Sequence, residues 1–224
     1  MKPFRRLDAA AAPDGTVLTL YEHDGAYVIH VDGVELMSTR RRHSEERIAE
    51  LACAPVRDRP RARVLIGGLG LGFTLRAALR TLGPDARIVV AELVDAVIAW
   101  NRNPAYPLGA DALGDPRVAL HHADVAELLA EHDAFDAIVL DVDNGADALT
   151  TAGNARLYGD AGIRTAVAAL RSGGRLAYWS AERDDAFARA LRRANLTVDV
   201  VRARAHATSG GWYTLYVARR AGDR

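Results

Sequence analysis

A chain of 224 residues, half of them hydrophobic, can bury one sizeable core but has little room for a second full domain. Its 29 basic residues balance 29 acidic ones, so no net field draws it to nucleic acid or to an anionic membrane, and a small-molecule partner is expected. The single cysteine, Cys53, excludes an internal disulfide and a cysteine-cluster metal site; sitting in an apolar run, it reads as core. No stretch approaches the roughly 20 apolar residues of a transmembrane helix, and the basic start "MKPFRR" leads only into a short alanine run. The chain reads as cytoplasmic.

Residues 16–37, "TVLTLYEHDGAYVIHVDGVELM", alternate apolar and polar positions around two Asp-Gly pairs, Asp24-Gly25 and Asp32-Gly33, and predict a meander of short antiparallel strands. In "STRRRHSEERIAELACA", Ile48, Leu51 and Ala52 recur at helical spacing, with Ser44 as a helix start. Its charge cluster reads as a solvated stretch whose arginines pair with nearby glutamates. Pro55 and Pro60 punctuate a linker, dividing the chain into an N-terminal meander and helix, 1–55, and a larger unit, 56–224. From Arg63 onward, apolar strands near 63–66, 87–91, 117–121, 136–140 and 174–179 alternate with helical stretches, a further helix following near 184–194. That rhythm predicts a doubly wound parallel sheet. "LTVDVVRARA" and "GWYTLYVARR" are joined by "HATSGG", too short for a helical crossover, so the last two strands form an antiparallel hairpin. The expected fold is α/β: a mostly parallel seven-stranded sheet preceded by a small antiparallel meander. At fold level it resembles the Rossmann-like class I S-adenosylmethionine-dependent enzymes.

"VLIGGLGLGFTL", 64–75, runs a strand through Gly68, Gly70 and Gly72 into a helix, the arrangement that lets backbone N–H groups approach a nucleotide. Glu92 ends the next strand 20 residues after Gly72, where a carboxylate can accept from both ribose hydroxyls. A dinucleotide fits less well, because the third glycine of its fingerprint is replaced by Phe73 or Leu75, and no Gly-Lys-Ser/Thr follows to make a P-loop. Asp124, after the third strand, suits the adenine amine and equally the start of the helix "DVAE", through different atoms. Asp141 follows Val139-Leu140 at the carboxyl end of a central strand, over the crevice where open α/β sheets bind ligands. Asp143, Asn144 and Asp147 cluster behind it; so much acid beside a sulfonium suggests an amine substrate, although "DNG" is also strong turn chemistry. Tyr158, Trp179 and Trp212 either wall an acceptor pocket or pack in the core, and Glu182 either meets the acceptor or serves a helix N-terminus. His121 and His122, adjacent on a strand, point to opposite faces, so no metal is assigned.

In order, "VDGVEL", "LIGGLGLG", "VAELV", "ADVAELL", "FDAIVLDVDNG" and "LRSGGRLAYWS" resemble the polyamine aminopropyltransferases, the spermidine synthase family, over nearly the whole chain. The resemblance implies that Gly68, Gly70, Glu92, Asp124 and Asp141 line a nucleoside site, that Asp141 faces the attacking nitrogen, and that the N-terminal region makes a homodimer surface. Three departures stand out. That family's loop reads G-G-G-D-G-G, its aspartate gripping the amine end of decarboxylated S-adenosylmethionine, where this chain has Gly70. Its D-S-S-D-P loop keeps Asp141 here but ends in Asn144 and Gly145. Its Tyr-His-Glu helix corresponds to "HSEER", in which Glu45 or Glu46 stands in for the glutamate.

An aspartate about 4 Å from the methionine carboxylate would repel it by about 4 kcal/mol at an effective dielectric near 20. With Gly70 there, that barrier is absent and loop N–H groups are available to a carboxylate. The sequence therefore leads to a transferase that uses S-adenosylmethionine itself to alkylate a small amine, with Asp141 orienting the nucleophile and taking its proton. The alternatives are a true spermidine synthase using the decarboxylated cofactor, and a nucleoside-binding assembly module without turnover.

Overall fold

The computed structural model describes residues 3–131, 135–142 and 155–222. Four strands come first: β1 (Arg5–Ala11), β2 (Val17–His23), β3 (Ala26–Val31) and β4 (Val34–Ser38), paired in that order as an antiparallel sheet. Both Asp-Gly pairs adopt positive φ at both residues, the primed turn geometry that matches the twist of tight hairpins. β1 is an addition to the predicted meander, running from Arg5-Arg6-Leu7-Asp8 into the first three of the alanines at 9–12.

Helix α1 (His43–Cys53) follows. Arg42 is its N-cap and makes no side-chain cap bond. Ser44 lies inside the first turn, buried, and donates to Glu45 Oε2 at 2.6 Å, so it is not the cap that its residue type suggested. The charged stretch pairs as expected, Arg41 with Glu35, Arg47 with Glu50 at 3.2 Å and Arg80 with Glu46 at 3.3 Å. Cys53 is buried, and burial pushes its thiol up to about 12.

The second unit alternates β5 (Arg63–Gly67), α2 (Phe73–Thr81), β6 (Arg87–Glu92), α3 (Asp95–Arg102), the one-turn α4 (Ala110–Leu113), β7 (Val118–His122), α5 (Val125–Glu131) and β8 (Phe135–Leu140). Then come α6 (Ala155–Tyr158), α7 (Asp160–Ala169), β9 (Leu170–Ser180), α8 (Asp185–Arg193), β10 (Leu196–Arg204) and β11 (Trp212–Arg220). The sheet order is β10-β11-β9-β8-β5-β6-β7; β5 to β9 are parallel and β11 runs antiparallel to both neighbours, the terminal hairpin expected from its short link. β8 is buried along its whole length, and its one charged residue, Asp136, is held by Arg59 at 2.9 Å and Arg171 at 2.8 Å.

Alternation along the strands sends Val64 and Ile66 to one face and Leu65 to the other. The first face packs against α1, α2 and α3, and its apolar cluster runs on into Leu18, Leu20, Ile29 and Val31 of the small sheet. The second packs against α5, α7 and α8. Trp100 Nε1 of α3 donates to Asp8 Oδ2 of β1 at 2.8 Å, a further tie between the sheets. The small sheet is therefore seated on the large one through shared core. No helix among the described residues is long and apolar enough to cross a membrane.

Candidate active site

The loop between β5 and α2 is shaped by two close approaches. Gly68, at φ +90°, lies against the chain after β8 so tightly that a Cβ there would stand 2.3 Å from the Asp141 carbonyl oxygen. Gly70, at φ +52°, turns toward β4, where a Cβ would meet Met37 Sδ at 3.1 Å. Asn101, fully buried on α3, pins this loop from behind: its Nδ2 donates to Gly70 O at 2.8 Å and its Oδ1 accepts from Gly109 N at 2.9 Å.

Gly68, Gly70, Glu92, Asp124 and Asp141 line one pocket, roofed by Leu18, Ile29, Leu36 and Met37 of the small sheet. Glu92 accepts from Leu69 N at 2.9 Å through Oε2 and from Val94 N at 2.8 Å through Oε1. The backbone N–H groups of Gly70 and Leu93 also act on this carboxylate. Burial raises Glu92 above the ordinary carboxylate range, and the hydrogen bonds from the backbone draw it back. Asp124 Oδ1 accepts from Ala126 N at 2.8 Å at the start of α5, while Oδ2 is engaged by Arg156.

A second pocket adjoins the first and shares Leu36, Met37, Gly70 and Asp141 with it. Its remaining lining includes Arg41, Glu45, Phe73, Thr74, Trp179 and Tyr213. The first turn of α1 thus delivers Glu45 to the second pocket, beside Asp141. Thr74, buried in the first turn of α2, donates from Oγ1 to Asp141 Oδ2 at 2.5 Å. Burial, with the Glu45 carboxylate close by, pushes Asp141 up to about 7 against the pull of that hydroxyl. Burial likewise raises Glu45, opposed by the Ser44 hydroxyl, its own backbone and Arg41.

Some expected site residues lie elsewhere. Gly72 lines neither pocket; it backs onto the Cα of Gly109, with 3.3 Å available for a Cβ. Tyr158 is buried beneath the sheet between Tyr178 and Phe187, its hydroxyl donating to Trp179 O at 3.0 Å, so it packs the core and does not wall the acceptor pocket. Glu182 is exposed outside both pockets, and the cap of α8 is Asp184. Trp212 is turned away, its ring covered by Arg202 and Arg204, while its neighbour Tyr213 faces the pocket beside Trp179 at 4.7 Å between ring centroids. Asp143, Asn144 and Asp147 fall outside the described residues. Arg41, Thr74, Asn101 and Tyr213 were not legible as site residues: each acts through a tertiary neighbour that no local motif announces. Among the described residues no three His, Cys, Asp or Glu side chains gather as a metal site.

No protein-family model matches the chain, and no curated protein does. Solved structures do. A spermidine synthase from Thermotoga maritima is 20% identical at a TM-score of 0.78, over 98% of this chain and 74% of its own. A spermidine synthase solved with the transition state analogue AdoDATO is 19% identical at a TM-score of 0.76, over 98% and 73%. The O-methyltransferase TomG from Streptomyces achromogenes, solved with SAM, is 18% identical at 0.53, over 78% and 79%. The small antiparallel sheet on a seven-stranded, mostly parallel one is thus a spermidine synthase-like arrangement of the class I methyltransferase fold.

Proposed function

We propose that the chain is a transferase that binds S-adenosylmethionine in the first pocket and alkylates a small amine held in the second. One observation carries the reading: the two pockets meet at Asp141 and Gly70, so a nucleoside cradle and an acid-lined acceptor chamber open onto the same carboxylate. The cradle fits the nucleoside by its acceptors, Glu92 for the ribose hydroxyls and Asp124 for the adenine amine, with the loop at Gly68 and Gly70 approaching without side chains. That a similar structure was solved with SAM supports the choice of cofactor. When bound, the sulfonium supplies an electrophilic carbon whose bond to sulfur breaks with its electron pair leaving on sulfur.

The chain's own residues do the rest. Asp141 holds the acceptor nitrogen in line and takes the proton that nitrogen sheds as its new bond to carbon forms. Its raised proton affinity suits that task near neutral pH. Glu45 adds the second acid that attracts a cationic or protonated acceptor, and Trp179 and Tyr213 wall the chamber. Gly70 leaves the loop without a negative charge where the cofactor's amino-acid end would lie, which favours the carboxylate-bearing form.

Glu45 beside Asp141 also supports a second reading, aminopropyl transfer from decarboxylated S-adenosylmethionine to a polyamine. Calorimetry on ligand-free protein with both cofactors separates the two. Tighter binding of S-adenosylmethionine supports the first reading; tighter binding of the decarboxylated form establishes the second. Binding of neither removes both.

A further inference from the structure

We propose that Thr74 is a positioning residue of the acceptor site, its hydroxyl holding Oδ2 of Asp141 so that Oδ1 is the oxygen presented to the acceptor nitrogen. The proposal rests on the reading of Asp141 as the proton-accepting group.

The geometry sets Thr74 apart from the other helical threonines. Thr81 donates to Ala77 O at 2.8 Å and Thr165 to Ala161 O at 3.1 Å, each back-bonding one turn along its own helix. Thr74 sits in the first turn of α2, and the residues before it form the glycine loop, so no helical carbonyl waits four positions back. Its hydroxyl instead reaches across the sheet to Asp141, 67 residues on, at 2.5 Å. The hydroxyl oxygen also lies 3.4 Å from Glu45 O, but one hydroxyl has one proton, and the nearer, charged acceptor takes it.

Among the described residues no other side chain donates to Asp141. The groups around it are the Glu45 carboxylate from α1, Arg41 from the segment before α1 and the Tyr213 phenol from β11, all lining the same chamber. Glu45 and burial oppose the ionised carboxylate; the Thr74 hydroxyl favours it. Removing that hydroxyl releases the carboxylate's orientation and makes it hold its proton more tightly.

The test needs no acceptor. The carboxyl carbon of Asp141, assigned by comparison with Asp141→Asn, is titrated by NMR in the parent, in Thr74→Val, which keeps the shape and loses the hydroxyl, and in Thr74→Ser, which keeps the hydroxyl. The Asp141 midpoint is expected to rise by about one pH unit or more in Thr74→Val and to stay near the parent's in Thr74→Ser. An unmoved midpoint in Thr74→Val overturns the proposal, and so does a Ser variant that shifts as far as the Val variant. Calorimetry with S-adenosylmethionine on the same proteins tests the functional reading separately. Thr74 does not line the first pocket, so both variants are expected to keep the parent's affinity. An affinity lost in both variants with the midpoint unmoved would make Thr74 merely structural.

Discussion

Met37, near the end of β4, rests its thioether against the glycine loop, so that a side chain at Gly70 would begin 3.1 Å from Sδ and 3.4 Å from Cε. The small sheet therefore occupies space that an aspartate at position 70 would need. Because the obstacle is the tip of a flexible side chain, and aspartate tolerates left-handed backbone better than most residues, Gly70→Asp is expected to fold. Its cost should be about 1 kcal/mol. The introduced charge is expected to weaken S-adenosylmethionine by up to about a thousandfold, from about 4 kcal/mol of repulsion, while leaving the decarboxylated form unharmed. Calorimetry with the two cofactors reads that ratio, and an unchanged ratio places the amino-acid end elsewhere.

Asp141→Asn keeps the shape and an oxygen for Thr74 to bond, and removes the base. Once an acceptor is found, its turnover is expected to fall by about 10²- to 10⁴-fold, with S-adenosylmethionine affinity kept within several-fold. The parent's rate should climb with pH through a midpoint near 7, as Asp141 loses its proton. A flat profile from pH 5.5 to 8.5 would remove Asp141 from the proton transfer.

The same group makes a prediction about stability. Its folded-state proton affinity lies above that of the unfolded chain, so its contribution is complete at low pH and is lost as pH rises from about 4, the unfolded carboxylate's range, to about 7. Asn carries no charge to bury. Asp141→Asn is therefore expected to be more stable than the parent at pH 8 by roughly 1 to 3 kcal/mol and no more stable at pH 4, as urea unfolding at both values would show.

Asn101 offers a different lever. Its Nδ2 also donates to Val97 O at 2.8 Å, so one buried side chain ties α3, the glycine loop and the turn before α4 together. Asn101→Leu strands the Gly70 carbonyl and the Gly109 amide without partners and is expected to cost about 2 to 4 kcal/mol. With the loop unpinned, cofactor affinity should drop by tenfold or more; thermal unfolding with and without S-adenosylmethionine measures both. Affinity that survives the stability loss would show that the loop holds its shape without Asn101.

The strands of the large sheet could be read because each is an apolar run closed by turn chemistry, and the terminal hairpin because its link is short. β1 could not: Arg5-Arg6-Leu7-Asp8 followed by three alanines carries no clear apolar alternation, and the strand is defined by its pairing with β2. The carboxylates at the strand ends, Glu92 and Asp141, were visible because strand ends face the crevice by topology alone. Aromatic placement was not, since Trp212 and Tyr213 are neighbours on opposite faces of β11, and one residue of register decides which meets the pocket. Tyr158 looked like a pocket wall by its place in the chain, but α6 turns it beneath the sheet.

The pocket's roof, Leu18, Ile29, Leu36 and Met37, comes from the first quarter of the chain, and its floor from strands that follow. On a ribosome the roof is made first and has nothing to close over until β5, β6 and β8 have emerged. The chamber is thus a late event in the molecule's assembly, completed by its earliest residues. A fragment starting at the linker would keep the glycine turn and the carboxylates while leaving them open to water on one side.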